Sequence, residues 1–382
     1  MRRFLLFFTV LIVIVGLCGY YLGQRLITGS TFFGSHPTAA WSGVIAFLSF
    51  VVIGPMLSRI LPESFHGRFY PVRWAINMTM AIFFSLLFYT FTVDLAVYLF
   101  GFWLPAETSI WLQDWSLAVI ALLVLGTFLV GALQALAPKV YRVDVPIEGL
   151  PRAFEGFKIA QISDLHIGEM IGHRYVRAVV NRTNELEANA IAMTGDIIDG
   201  HHGQTAIVTE DLSALKATEG VFYVTGNHEY YWGVDHAIQG IQKTGARVLM
   251  NENVRIQRGS DAIAIAGVTD ISAGSMVPQH RSDPAKAAAS LPKDMVKILL
   301  AHQPVTYKKA QESGYQLQLS GHTHGGQFFP WSLVVRLFQH YNKGLIRHDK
   351  MWIYVNRGTA TWGPRLRFGI PPEITLLTLR RA

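Results

Sequence analysis

Phe4–Leu22 and Trp115–Leu133 are each nineteen residues long and contain no charged side chain. As helix, such a run is about 28 Å long, enough to cross the hydrocarbon core of a bilayer. Two further apolar stretches lie between them. Trp41–Leu57 is uncharged, with Pro55 near its end, and Trp74–Phe100 carries one acid, Asp94. We read Asp94 as an interfacial acid rather than a proton relay. Composition agrees with lipid burial: 51% of the residues are hydrophobic and 15% charged, against about 25% charged in a typical soluble domain. Arg2-Arg3 before the first stretch suggest a signal peptide. That stretch is long for one, lacks a small-x-small cleavage site and precedes three more, so we read it as a retained helix. The expected layout is an all-α transmembrane region over residues 1–140, with four spans near 4–22, 41–57, 74–100 and 115–133. A soluble domain over 150–382 follows.

Loop charges orient the spans. Arg2 and Arg3, then Arg59, Arg68 and Arg73, then Lys139 and Arg142 fall on one side, and only Arg25 on the other. Both termini, and with them the soluble domain, are expected in the cytoplasm of a multi-pass protein of the inner or plasma membrane. The helical half shows no cluster of charges and no paired broken helices, the marks of a transport path. The net charge of +7 divides between the two halves without a basic run, so nucleic-acid binding is not indicated. A single cysteine, Cys18, excludes a disulfide framework and a cysteine-based zinc module.

Beyond residue 150, short apolar strands alternate with helical or loop segments. Strands are expected at Phe157–Ile162, Ala190–Met193, Val221–Val224, Ile263–Ala266, Val296–Ala301, Gln316–Leu319, Trp352–Val355 and Ile374–Leu379. Helices are expected around His173–Leu186, Glu210–Lys216 and Asp235–Thr244. This is α/β order. Five strands end in the same chemistry: Ser163-Asp164-Leu165-His166, Gly195-Asp196-Ile197-Ile198-Asp199, Gly226-Asn227-His228-Glu229, Ala301-His302-Gln303 and Gly321-His322-Thr323-His324-Gly325-Gly326. Ligands bind outside the carboxyl ends of strands in open α/β sheets, so these loops would meet at one edge. Each motif alone is weak, and their joint occurrence after strands is strong. Carboxylate, imidazole and amide oxygen without thiolate suit Mn, Fe, Zn, Co or Ni rather than a closed structural zinc site. There are more donors than one ion can use. Two divalent ions about 3.5–4 Å apart, sharing a carboxylate, would use them all.

The set resembles the calcineurin-like metallophosphoesterase superfamily, whose signature is Asp-x-His, Gly-Asp-x-x-Asp, Gly-Asn-His-Asp/Glu, a later His, and Gly-His-x-His. The likeness covers roughly 155–382 and is nearest to a bacterial, membrane-anchored branch with Gly-His-Thr-His-Gly-Gly-Gln (Gly321–Gln327), Arg357-Gly358 and Pro372-Glu373-Ile374. It implies a four-layer αββα sandwich and a metal-dependent phosphoesterase. It further implies that Asp164, His166 and His324 hold one metal and Asn227, His302 and His322 the other, with Asp196 shared. His228 would serve as acid, oriented by Asp199. Two cations would lower the pKa of a water enough for it to attack phosphorus in line.

Phosphoprotein phosphatases of that superfamily carry two phosphate-clamping arginines. Here Gly200 and Thr225 stand in their places, which weakens that reading. A membrane anchor favours a lipid-linked or membrane-proximal phosphorylated substrate, with membrane lipid as partner. The alternatives are a phosphoprotein or cyclic-nucleotide phosphatase, or an inactive membrane sensor or scaffold on the same fold. His201 and His202 are read as solvated; His173, His236, His280, His340 and His348 lack motif support. The apolar stretch Phe328–Gly344 reads equally as a core helix or as a pocket wall or lipid-facing lip.

Overall fold

The computed structural model describes residues 2–28, 36–60, 70–103 and 105–382. The chain forms two compact units, Met1–Val130 and Gly131–Ala382.

The first unit is helical: Arg2–Gly23 continuing into a π-helical turn at Gln24–Thr28, then Pro37–Ile60, Tyr70–Phe100 and a fourth helix, Ala106–Gln134, which enters the second unit at Gly131. Among the described residues three helices are long and apolar enough to cross a membrane, over Pro37–Gly54, Trp74–Trp103 and Trp115–Gln134. The first expected span falls partly on side chains outside those described, residues 1–8 and 11, and its described part, Ile12–Ile27, is a shorter apolar run. Arg68, counted in the orienting loop, also lies outside the described residues. The second helix runs through Pro55 to Ile60 instead of stopping there. Proline is tolerated within lipid-embedded helices because neighbouring groups re-satisfy the freed carbonyl.

Asp94 is not a solitary interfacial acid. It accepts from Arg25 Nε at 2.7 Å and from Tyr21 Oη at 2.7 Å, while Arg25 Nη2 donates to Ser116 Oγ at 2.8 Å. A charge in low dielectric must be paired to persist, and here the pair joins three helices. Among the described residues the helical half thus holds one ion pair, Arg25–Asp94, rather than a cluster of charges.

The second unit has two six-stranded sheets. β1 (Lys139–Ile147), β2 (Lys158–Ile162), β3 (Ala190–Thr194), β4 (Val221–Val224), β5 (Arg247–Val248) and β12 (Glu373–Arg381) form one, in the order β1-β12-β2-β3-β4-β5. The other runs β10-β11-β9-β8-β7-β6, from β6 (Glu252–Arg258), β7 (Asp261–Gly267), β8 (Val296–Leu300), β9 (Leu317–Ser320), β10 (Gly344–His348) and β11 (Met351–Val355). β2 to β5 are mutually parallel, as are β7, β8, β9 and β11.

Period-two alternation decides which residue goes where. Ile159, Ala192, Val224, Ile265, Ile298 and Leu319 meet between the sheets. The opposite faces of β2 and β3 bury Ala160, Ile162, Ile191 and Met193 against Val176, Val179 and Val180 of helix His173–Asn184 and Ile241 of helix Val234–Lys243. Outer residues of the second sheet, such as Ala266 and Leu299, pack on Ala287 and Ala310. The result is four layers, helix–sheet–sheet–helix. Gln161, fully buried, ties the sheets by donating to Thr194 Oγ1 and Ser320 O, both at 2.9 Å.

Four strands and one helix depart from the sequence reading. β1, β5, β6 and β10 are additional strands: β5 is a two-residue edge on β4, β6 and β10 pair antiparallel with β7 and β11, and β1 pairs with β12 more than 230 residues away. The helix expected around Glu210–Lys216 lies earlier, at His202–Glu210, followed by a 3-10 turn. Its threonines look like loop residues, but Thr205 and Thr209 turn their hydroxyls back to the carbonyls of His201 and Thr205.

Candidate metal centre

The carboxyl ends of β2, β3 and β4 in one sheet face those of β8 and β9 in the other. Asp164 and His166 follow β2, Asp196 and Asp199 follow β3, and Asn227 and His228 follow β4. His302 follows β8, and His322 and His324 follow β9. All nine side chains predicted from the sequence come together here.

The loops are stitched to one another through these residues. His322 N donates to the Asp164 carboxylate at 3.0 Å, His228 N to Asp196 Oδ1 at 2.8 Å, and His166 N to Asp196 O at 3.0 Å. The close approach needs glycine at two corners. A Cβ on Gly226 would fall on the Asp196 carboxylate, and one on Gly321 on that of Asp164. Of nine non-glycine residues with positive φ among those described, five are Asp164, His166, Asp196, His322 and His324. Backbone strain at that density is retained only where surrounding bonds over-determine it. Glu229 supplies many of them. Its buried carboxylate accepts from Gly226 N, Asp196 N, Ile197 N and Ile198 N at 2.7–3.1 Å.

Hydrogen bonds set the ring tautomers. His302 Nδ1 donates to Thr194 O at 2.8 Å, which leaves Nε2 as a lone pair 3.1 Å from Asp196 Oδ2 and 3.2 Å from His322 Nδ1. His166 Nδ1 donates to Asp199 Oδ2 at 3.1 Å, so its Nε2 points to His324 Nε2, 3.0 Å away. Asp199 Oδ1 takes His228 Nδ1 at 2.8 Å and Trp232 Nε1 at 2.6 Å. One carboxylate therefore orients two imidazoles, not only that of His228. The His228 Nε2 faces inward, 3.9 Å from Asp196 Oδ2, and its ring lies between those of Tyr231 and Trp362.

Burial opposes charge throughout, and the neighbours decide the outcome. It works to lower the His228 imidazole, but the Asp196 and Asp199 carboxylates lift it to about 9. Burial would raise Asp199, yet the hydrogen bonds from His166 and His228 hold it well below the usual carboxylate range. Burial, then Arg367 and His166, push His324 well below the ordinary imidazole value.

Whether these donors suit metal can be tested on the site itself. Asp164, His166 and His324 converge within 4.8 Å, as do Asp196, His302 and His322, and a third set joins His166, Asp196 and His228. Asn227 Oδ1, one residue before His228 whose N bonds Asp196, is buried with no hydrogen-bond partner. An orphaned amide oxygen in a site with the Nε2 lone pairs of His166 and His302 is unfavourable in an apolar packing role and fits a cation ligand. The residues fit divalent metal.

Four contributors went unread in the sequence. Glu229 was visible inside its motif without an assigned role, and Trp232 lies one helical turn after His228. Trp362 had no signal, nor did Arg367. Arg367 is fully buried and donates to His324 Nδ1 at 2.9 Å, His324 O at 3.1 Å and Arg357 O at 2.7 Å, with further bonds to Gly358 O and Ala360 O. His202 is exposed and stacks on His236; His201 packs on Trp232 at the rim rather than standing free in solvent. His173 pairs with Asp211 and His280 with Tyr230, while His340 and His348 lie against Tyr341.

The family described as calcineurin-like phosphoesterase matches residues 157–326. An uncharacterized metallophosphoesterase of Campylobacter jejuni is 30% identical over 99% of both chains. One of Helicobacter pylori is 34% identical over 78% of this chain and 79% of its own. A zebrafish protein named transmembrane protein with metallophosphoesterase domain is 32% identical over 72% of this chain, which spans only 66% of that relative's length.

Proposed function

Because the chain belongs to the calcineurin-like phosphoesterase family, we propose that it is a membrane-anchored, dinuclear-metal hydrolase of a phosphoester or phosphoanhydride. The observation that carries this reading is the convergence of seven metal-type donors from five strand ends, the orphaned Asn227 Oδ1 among them, beside an imidazole that is not needed as a ligand. Asp164, His166 and His324 would hold one divalent ion and Asn227, His302 and His322 the other, with Asp196 common to both. Two such ions supply Lewis acidity toward phosphoryl oxygens and a lowered pKa for water.

The chain's own residues then do the following. Asp199 fixes the His228 ring with Nδ1 occupied, so that Nε2 is the atom that faces substrate. Protonated at Nε2, that imidazole would hand a proton to the oxygen leaving phosphorus. Tyr231 and Trp362 flank the ring and give a leaving group apolar walls. Thr225, where an arginine would clamp phosphate in a phosphoprotein phosphatase, is buried and sits near Tyr230 Oη and Asp270 N. That speaks for a small or lipid-linked substrate.

The anchored topology with a cytoplasmic hydrolase rests on the apolar helices and on loop charge. Arg25 is the single Lys or Arg on the far side, where Glu107 and Asp114 also lie, against seven on the other. The direct test uses purified full-length protein with bis(p-nitrophenyl) phosphate and p-nitrophenyl phosphate. Turnover should depend on added Mn²⁺ or a related ion and vanish in chelator. Fewer than one metal ion per active chain would defeat the dinuclear assignment, and turnover undiminished in chelator would defeat the metal mechanism.

A further inference from the structure

The apolar stretch after the metal loop is not a core helix. Helix Trp331–Phe338 has no buried residue: Leu337 is 81% exposed, Phe338 80% and Leu333 42%. Leu333 and Leu337 share a face with Arg336 at helical spacing. The helix nonetheless sits against the metal loop. Its Ser332 packs where a Cβ on Gly326 would be, two residues after His324, and Ser332 N donates to Phe328 O at 2.9 Å. Trp362, 48% exposed over His228, is tied to the same loop by Gln327, whose side chain bonds both its N and its O at 2.8 Å.

Two observations say what covers this face. The first is continuity, all of it within the second unit, with the residues that end the last apolar run. Phe329 at the foot of the helix packs against Phe368 with centroids 6.5 Å apart and ring planes inclined by 58°. Arg367 N donates to Gly131 O and Gly369 N to Gln134 Oε1, both at 3.0 Å. Gly131–Gln134 closes the run Trp115–Gln134, where Leu133 is as exposed as a lipid-facing side chain must be. The second is charge. Arg336 is exposed on the helix, and Arg357 and Arg336 lie near enough to Lys343 to add to burial in depressing its ammonium. A short helix with exposed Leu and Phe and a basic flank suits the boundary between anionic headgroups and acyl chains.

We propose that Trp331–Phe338 is a membrane-inserting lip, seated in the bilayer interface, that presents lipid-borne phosphoesters to the metal loop. This rests on the hydrolase reading for its catalytic half only. The docking is tested without turnover. Full-length protein carrying Cys18→Ser and Phe338→Cys is labelled with an NBD fluorophore at 338. It is reconstituted in phosphatidylcholine–phosphatidylglycerol vesicles with or without doxyl-labelled lipid. Blue-shifted emission quenched by the doxyl lipid is expected. Water-like emission would overturn insertion. So would a blue shift without quenching, which would mean that protein covers the face.

The catalytic half compares hexadecyl p-nitrophenyl phosphate embedded in vesicles with soluble bis(p-nitrophenyl) phosphate. The double change Leu337→Asp, Phe338→Asp should slow the first by about tenfold or more and leave the second unchanged. An equal effect on both, or on neither, would overturn presentation of lipid substrate. If the unaltered protein hydrolyses neither, the hydrolase reading fails, while the fluorescence still decides the docking.

Discussion

Asp199 holds His166 through one oxygen and His228 through the other, so in the proposed mechanism one side chain would link metal binding to proton transfer. Replacing His228 by Ala should leave metal content intact and lower kcat by about 10²–10⁴. Asp196→Asn should remove both metal and turnover, since that carboxylate is common to the two donor sets. Asp199→Asn should do some of each: it frees the acid, and loss of such an outer partner costs metal affinity about 10–100-fold. Metal titration alongside kcat separates the three, and an Asp199→Asn protein with unchanged metal affinity would show that its bond to His166 is idle. Arg367 makes a different kind of demand. Its guanidinium satisfies carbonyls of the His324 and Arg357–Ala360 segments, so Arg367→Ala leaves several buried acceptors unpaired. A loss of about 3 kcal/mol or more is expected in denaturant titration.

Strand ends, rather than whole strands, carry the site, and their spacing depends on how tightly the corners meet. Gly226 at the end of β4 touches the Asp196 carboxylate at the end of β3, and Glu229, three residues on, gathers the amides of both corners. Gly226→Ala should therefore overpack the junction, costing about 1–3 kcal/mol, and reduce bound metal even where the protein still folds. Thermal melting with metal analysis checks both. A Gly226→Ala protein of normal stability and full metal content would show that the corner has slack. At the same scale, helix Trp331–Phe338 shows why amphipathic spacing alone could not separate a core helix from an exposed one. The spacing is the same in both; only the neighbours differ.

At the scale of the molecule, the second unit begins with the last turn of a helix, at Gly131, rather than in a linker near 150. β1 pairs with β12 along all nine of its residues and buries Val145 and Ile147 between the sheets. A fragment starting at residue 150 should expose that apolar edge and be less soluble and lower-melting than one starting at 131; equal melting would make β1 dispensable. Topology is testable on intact cells. Alkaline phosphatase fused after Ala382 should be inactive if the hydrolase faces the cytoplasm, and an active fusion would reverse the orientation without touching the metal assignment.

What the sequence determined by itself was local: charge-free runs of membrane length, period-two strands, and polar motifs that begin where each strand stops. Those signals are local because helix length, strand alternation and turn chemistry act over a few residues. Tertiary structure decided whatever needs a distant partner. β1 has no meaning without β12, and Arg25 and Asp94 form a pair only because two helices meet. Arg367 looks like any arginine in a basic, glycine-rich tail. Folding places it in full burial under His324, among carbonyls that nothing else would satisfy. A buried polar group owes its place to partners brought by the fold, and no window of sequence around residue 367 contains His324.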